Sequence, residues 1–100
     1  LGLYADVSVI DYSGKNALNY ASANGDVSII KLLVEHGADL NIQTENDLTS
    51  LMWATGYGKT EAVKALLQLG ADKSLRDNRG LTALMIAEEN NYKEIIKLLK

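Results

Sequence analysis

The chain has 100 residues, 47% of them hydrophobic and 23% charged, and a net charge of −3. This composition is typical of one folded domain, and its weak acidity argues against a nucleic-acid partner. Cysteine is absent and the apolar runs are only a few residues long, so the sequence predicts no disulfide, no thiolate metal site, no membrane span and no signal peptide.

The first complete unit begins with a turn-forming stretch over residues 11–14. It leads into a short apolar helix predicted over 16–24. Gly25 then indicates a tight turn, and apolar pairs spaced three and four residues apart predict a second, amphipathic helix over 27–36. This order of elements is that of a helix–turn–helix unit.

The same order of elements returns twice more along the chain at a constant spacing. Gly37-Ala38-Asp39 recurs as Gly70-Ala71-Asp72, and residues 11–34 match residues 77–100 at 11 of 24 positions. The spacing carries leucine through Leu18, Leu51 and Leu84, and alanine through Ala21, Ala54 and Ala87. The repeat predicts units over 11–43, 44–76 and an incomplete 77–100, after a preceding unit's tail over 1–10.

Residues that tolerate positive φ also recur at this spacing. One column lies between the two helices of each unit, and the other lies in the loop before each first helix. Their members are Gly25, Gly58 and Asn91, and Gly14, Asp47 and Gly80. We expect turns of the same backbone shape in every unit.

Together these features resemble the ankyrin repeat. Thr82-Ala83-Leu84-Met85 followed by Ala87 is similar to the family's Thr-Pro-Leu-His-x-Ala signature. The resemblance covers residues 11–100 and implies an all-α solenoid of stacked helix–turn–helix units with hairpin-like loops. We expect the packing leucines of the first helices, Leu51 and Leu84, to be buried between neighbouring units.

The signature's proline and histidine are replaced in all three units. The substitutes are Ala17 and Asn19, Ser50 and Met52, and Ala83 and Met85. The family's His–Thr ladder between repeats is therefore missing, and we expect repeats less stable than consensus ones. Proline and histidine at positions 50 and 52 are expected to stabilise the middle unit.

Two short motifs are similar to ligand sites but fit the repeat better. Gly-Lys-Thr at 58–60 matches the end of a phosphate-binding loop, yet position 53 is tryptophan where that loop requires glycine. The alternating oxygen side chains over 39–45 lack a calcium loop's glycine and closing glutamate, which are Thr44 and Ser50 here. We predict a turn and a hairpin loop, and no cofactor or metal.

A lysine follows Ser28, Glu61 or Glu94 by three residues in each second helix, as Lys31, Lys64 and Lys97. We interpret the column as a solvated face with pairs of about 0.2–0.5 kcal/mol each, with a stripe for an acidic partner as the alternative. His36, the sole histidine, is predicted at a helix end. One histidine without cysteine cannot supply a Cys–His nucleophile, and we expect no enzyme.

Tyr20, Trp53 and Ile86 share one column of the first helices, and Tyr57 follows Trp53 by one turn. Two interpretations stay open. The aromatic side chains could anchor a partner on the concave face, or Tyr20 and Trp53 could pack against each other between units.

The resemblance implies non-catalytic binding of a protein or peptide through loop tips and exposed edges of the first helices. The alternatives are an accessory segment of a larger enzyme or secreted effector, and a structural spacer that binds nothing. We expect a monomer, cytoplasmic, without nucleic-acid or membrane partners. The predicted partner-binding residues are Tyr12, Lys15, Tyr20, Asn24, Glu45, Asn46, Leu48, Trp53, Tyr57, Asn78, Arg79, Ile86 and Asn90.

Overall fold

The structure, a computed structural model, describes residues 9–100. This part of the chain is all-helical, as predicted, with six α-helices and no strand. The helices are α1 (Ala17–Asn24), α2 (Val27–Glu35), α3 (Ser50–Gly56), α4 (Thr60–Gln68), α5 (Ala83–Asn90) and α6 (Lys93–Leu99). Most of the predicted tail of a preceding unit, including Tyr4, lies outside the described residues.

The first helix of each unit starts at an N-cap that recurs with the repeat. Asn16, Thr49 and Thr82 each accept a hydrogen bond from the backbone N–H three residues later. Such caps satisfy amide groups that would otherwise lack a partner in the first turn. The positive φ values predicted at the helix–helix turn are confirmed, for example 74° at Gly25 and 58° at Asn91.

The helices form two layers. Helices α1, α3 and α5 pack side by side in an inner layer, and α2, α4 and α6 line up in an outer layer. Each inner helix also packs on the outer helix that follows it. The exposed side of the inner layer, together with the hairpin loops that precede it, is called the concave face below.

The core lies between the layers and between neighbouring units. Leu18 and Leu51 from the inner layer and Ile30 and Leu66 from the outer layer are almost completely buried. The prediction for Leu51 is confirmed, whereas Leu84 is only partly buried. Leu84 belongs to α5, which among the described residues packs against another inner helix on one side only.

The three hairpin loops repeat one hydrogen-bond pattern. The backbone N–H of Asp11, Thr44 or Asp77 donates to the carbonyl four residues later, over 2.8–3.1 Å. Neighbouring hairpins are joined by backbone bonds of 2.9 Å, from Glu45 N to Gly14 O and from Asn78 N to Asn46 O. Gly14 is required at this junction because its φ is 86° and an added Cβ would lie 2.7 Å from Glu45 Cβ.

An asparagine connects the first two units where the family places histidine. Asn19 is fully buried, and its Nδ2 donates to Ser50 Oγ over 3.0 Å. Its Oδ1 accepts from Thr44 Oγ1 over 2.6 Å. The histidine ladder is therefore replaced at this junction by an amide that bonds across it.

The motifs that are similar to ligand sites have structural roles. Residues 57–59 form the turn between α3 and α4, as predicted, and Thr60 begins α4. Asp39 accepts from the backbone N–H of Asn41 over 2.9 Å, and His36 ends α2 as its C-cap. Over residues 9–100 no cluster of His, Asp or Glu could hold a metal ion, and none of the helices described there is long and apolar enough to cross a membrane.

Candidate functional site

Trp53 and Tyr57 form the aromatic pair of the concave face. Trp53 lies in the middle of α3 and Tyr57 is that helix's C-cap, one turn later. Their ring centroids are 6.1 Å apart with an interplanar angle of 39°, a tilted contact. Trp53 is partly buried, whereas Tyr57 is 59% exposed. The pair therefore has one partly buried ring, that of Trp53, and one exposed ring, that of Tyr57.

Lys15 connects the first hairpin loop to this pair. Its Nζ lies 5.1 Å from the centroid of a Trp53 ring and 3.4 Å from Glu45 Oε1. The ammonium group therefore contacts a π face and a carboxylate at once. Both charged side chains are partly exposed, so the ion pair itself contributes little to stability. It places the Lys15 ammonium group next to the tryptophan ring.

The indole N–H of Trp53 is a donor without an acceptor. Its Nε1 is buried and has no hydrogen-bond partner among the described residues. A buried donor left unpaired costs about 1–3 kcal/mol. Because this atom is buried, a partner's acceptor could reach it only after neighbouring side chains move, so the exposed ring of Tyr57 is the accessible part of the pair.

A cleft of about 220 Å³ opens between α3 and α5. Nine residues line it: Leu48, Met52, Trp53, Gly56, Tyr57, Arg79, Ile86, Glu89 and Asn90. Ile86 is only 4% exposed. It therefore packs in the core at the edge of the cleft and is not an exposed anchor of the aromatic column.

Two acidic residues and one arginine, Asp77, Glu89 and Arg79, form a charged triad at the rim of the cleft. Asp77, whose side chain is 1% exposed, accepts from Arg79 Nη2 over 3.0 Å, and Arg79 Nη1 lies 3.8 Å from Glu89 Oε1. Burial raises the pKa of Asp77, but hydrogen bonds from Leu81 N, Arg79 N and the guanidinium outweigh it, so this pKa lies below its usual value. Asp77 stays ionised and fixes Arg79.

Tyr20 does not extend the aromatic pair. Its hydroxyl donates to Asp11 Oδ2 over 2.5 Å and lies 3.0 Å from Ser13 Oγ. Hydrogen bonds to the carboxylate, that of Tyr20 first, hold the pKa of Asp11 well below its usual range. Within the described residues the ring of Trp53 pairs with that of Tyr57. The hydroxyl of Tyr20 instead joins α1 to the first hairpin loop through its contacts with Asp11 and Ser13.

The other predicted residues lie around the concave face without forming one cluster. Tyr12 is completely exposed at the first hairpin tip, and Asn24 is exposed at the end of α1. Asn46 and Asn78 bond to each other, with Asn78 Nδ2 3.4 Å from Asn46 Oδ1. Leu48 lies partly buried against the core.

Four residues of the site are not in the predicted partner-binding set: Met52, Gly56 and Glu89, which line the cleft, and Asp77. Met52 lines the cleft, although it stands at the signature's histidine position, which predicts a contact between repeats. Asp77 fixes Arg79, and its place in the same repeat column as Asp11 was the signal that could have identified it. Both Asp11 and Asp77 accept bonds from the backbone of their own hairpins.

Two wider clefts lie elsewhere, along the turns between the layers. They measure about 360 and 340 Å³ and meet at Gly58. Their walls are turn backbone, the first residues of outer helices, and the N-cap residues Lys59 and Tyr92 of those helices. Neither of these two clefts has an aromatic pair or an unpaired buried donor among the described residues that line it, so the concave face remains the candidate site.

The comparisons with known proteins agree with this architecture. A family model described as ankyrin repeats, in three copies, matches residues 18–100. The chain has no match among curated proteins. Ankyrin repeats are in general protein–protein interaction modules and are typically non-catalytic. With helices, turns and loops that repeat in register and the family model covering most of its length, the chain belongs to the ankyrin-repeat family.

Proposed function

We propose that the concave face binds a partner protein, with Trp53 and Tyr57 as its central contacts. The observation that carries this proposal is the aromatic pair of Trp53 and the exposed Tyr57, which together line a cleft of the concave face. Large aromatic side chains in packed surroundings are the residues that most often dominate binding energies. The proposed contact is non-catalytic and needs no cofactor.

The packing around the pair supports recognition by a preformed surface. Lys15 and Tyr57 both contact the Trp53 ring. Little side-chain ordering then remains to be done when a partner binds, and a smaller entropic cost favours affinity. The hairpin loops, joined by backbone hydrogen bonds, add polar groups around this centre.

The test compares variants of the two faces of the solenoid. A partner captured from the native cells is identified and titrated calorimetrically against Trp53→Ala, Tyr57→Ala and Lys64→Ala. Lys64 is the matched control because it lies on the outer layer, where it pairs with Glu61 over 3.7 Å. Circular dichroism of each variant verifies that the helices persist.

We expect Trp53→Ala to weaken binding about 30-fold or more, because truncating a central aromatic residue typically costs about 2 kcal/mol or more. Tyr57→Ala should weaken it less, and Lys64→Ala should change it little. If Lys64→Ala abolishes binding while Trp53→Ala does not, the lysine column of the outer layer is the site and the proposal is wrong.

A further inference from the structure

We infer that the segment bound at this cleft is basic: an apolar side chain entering the cleft next to an arginine or lysine. The inference rests on the proposed function and specifies its partner. It comes from the size of the cleft, from its charges and from the hydrogen-bonding groups on its rim.

The volume of the cleft fits a side chain better than a small molecule. Pockets for drug-sized ligands are about 300–1,000 Å³, and this cleft measures about 220 Å³. Its inner wall is apolar, with Leu48, Met52 and Ile86 beside the tryptophan ring. One apolar side chain of a partner would be partly desolvated against this wall.

The charges on the rim favour a cation. Arg79 and Glu89 are the charged members of the nine residues that line the cleft. Arg79 already donates to the buried Asp77 through Nε and Nη2, over 3.2 and 3.0 Å. With Asp77 ionised, the triad has a net negative charge, and its exposed acidic member is the carboxylate of Glu89. An acidic partner would meet that carboxylate while the arginine is engaged.

The neutral groups favour the same ligand. One N–H of Asn90 Nδ2 donates to Ile86 O over 2.9 Å, and the acceptor Oδ1 and the second N–H are left to a ligand. Tyr57 adds an exposed aromatic ring, and aromatic faces attract guanidinium and ammonium groups. Lys15 over Trp53 shows the same attraction within this chain. A carboxylate, an amide oxygen and a ring face together suit a donor-rich cation.

The experiment uses an unbiased probe, a displayed library of random dodecapeptides selected on the wild-type protein. Peptides that also bind Trp53→Ala are removed by counter-selection. Enriched peptides are synthesised and titrated at low and high salt against the wild type, Glu89→Gln and Glu35→Gln. Glu35 is the matched control because it is exposed at the end of α2, in the outer layer.

We expect enriched sequences to place arginine or lysine beside an apolar residue. Glu89→Gln should weaken their binding about 1.5- to 5-fold at low salt, as for exposed ion pairs, and Glu35→Gln should not. High salt should narrow the difference between wild type and Glu89→Gln. The side chain of Glu89 is 55% exposed, so its neutralisation should leave the fold intact.

Three results would overturn the inference: enrichment of acidic sequences, no sequence that distinguishes wild type from Trp53→Ala, or equal effects of the two glutamine variants. Acidic peptides that still require Trp53 would leave the proposed concave-face function standing and reverse only the partner's charge. The proposed function itself depends on the separate titration of the cellular partner against the Trp53 and Lys64 variants.

Discussion

Asn19 and Ser50 form a buried side-chain hydrogen bond between the first two units, from Nδ2 to Oγ over 3.0 Å. Asn19 also accepts from Asn16 N over 3.1 Å and from Thr44 Oγ1 over 2.6 Å. One amide therefore caps its own helix, contacts the next hairpin loop and reaches the next inner helix. Because all of these groups are buried, each depends on the others for its hydrogen bonds.

Removing the acceptor should destabilise the protein measurably. Ser50→Ala leaves Asn19 Nδ2 unpaired in the core, which should lower the free energy of unfolding by about 1–3 kcal/mol. In an Asn19→Ala background the same change should cost much less, with a coupling of about 0.5–3 kcal/mol in a double-mutant cycle. Urea unfolding measures all four proteins. Equal costs of Ser50→Ala in both backgrounds would show that the bond is absent.

The same contact changes the expectation for a consensus substitution. The resemblance to the family predicts that proline at position 50 stabilises the turn, but proline has no side-chain oxygen to accept the bond from Asn19.

The repeat period, the helices and the left-handed turns follow from the sequence because they depend on local residue types at fixed spacing. The Asn19 network and the Asp77–Arg79 pair could not be predicted, because they depend on how side chains are oriented once the units have folded and stacked.

The leucines of the inner layer should differ in their contribution to stability. Leu51 is 1% exposed between two neighbouring inner helices, so Leu51→Ala should cost about 2–5 kcal/mol through lost transfer energy and a cavity. Leu84→Ala should cost less because that side chain is only partly buried. Urea midpoints give both values. An unchanged midpoint in Leu51→Ala would contradict the packing of the inner layer.

Two buried hydroxyls of the inner layer lack a hydrogen-bond partner among the described residues and should therefore lower the free energy of unfolding. Ser22 and Thr55 occupy equivalent positions in the first two units, are fully buried, and have no hydrogen-bond partner for Oγ or Oγ1 among the described residues. Ser22→Ala and Thr55→Val remove the hydroxyl and keep the shape, so each should stabilise the fold by about 1 kcal/mol. Thermal melts should then rise by about 4–8 °C.

The control for the serine is Ser28→Ala, since Ser28 is exposed in α2. This substitution changes the helix propensity in the same way as Ser22→Ala but removes no buried hydroxyl. A gain in Ser28→Ala equal to that in Ser22→Ala would attribute the effect to propensity.

The ionisation of Asp11 should depend on Tyr20. Among the hydrogen bonds that lower the pKa of Asp11, the one from the Tyr20 hydroxyl has the largest effect and the one from the Ser13 side chain has the next largest. The pKa of Asp11 in the folded protein lies below its value of about 3.9 in the unfolded chain. The hydrogen bonds to its carboxylate therefore stabilise the fold above a pH of about 3.9, and this stabilisation is lost as the pH falls through the folded pKa. Tyr20→Phe removes the hydroxyl and should raise the pKa of Asp11, measured by NMR titration of its carboxyl carbon.

The matched control is Tyr12→Phe. Tyr12 is fully exposed at the hairpin tip, so this substitution should leave the pKa of Asp11 unchanged. An Asp11 titration that is the same in Tyr20→Phe and in wild type would mean that the hydroxyl does not hold the first hairpin loop against α1.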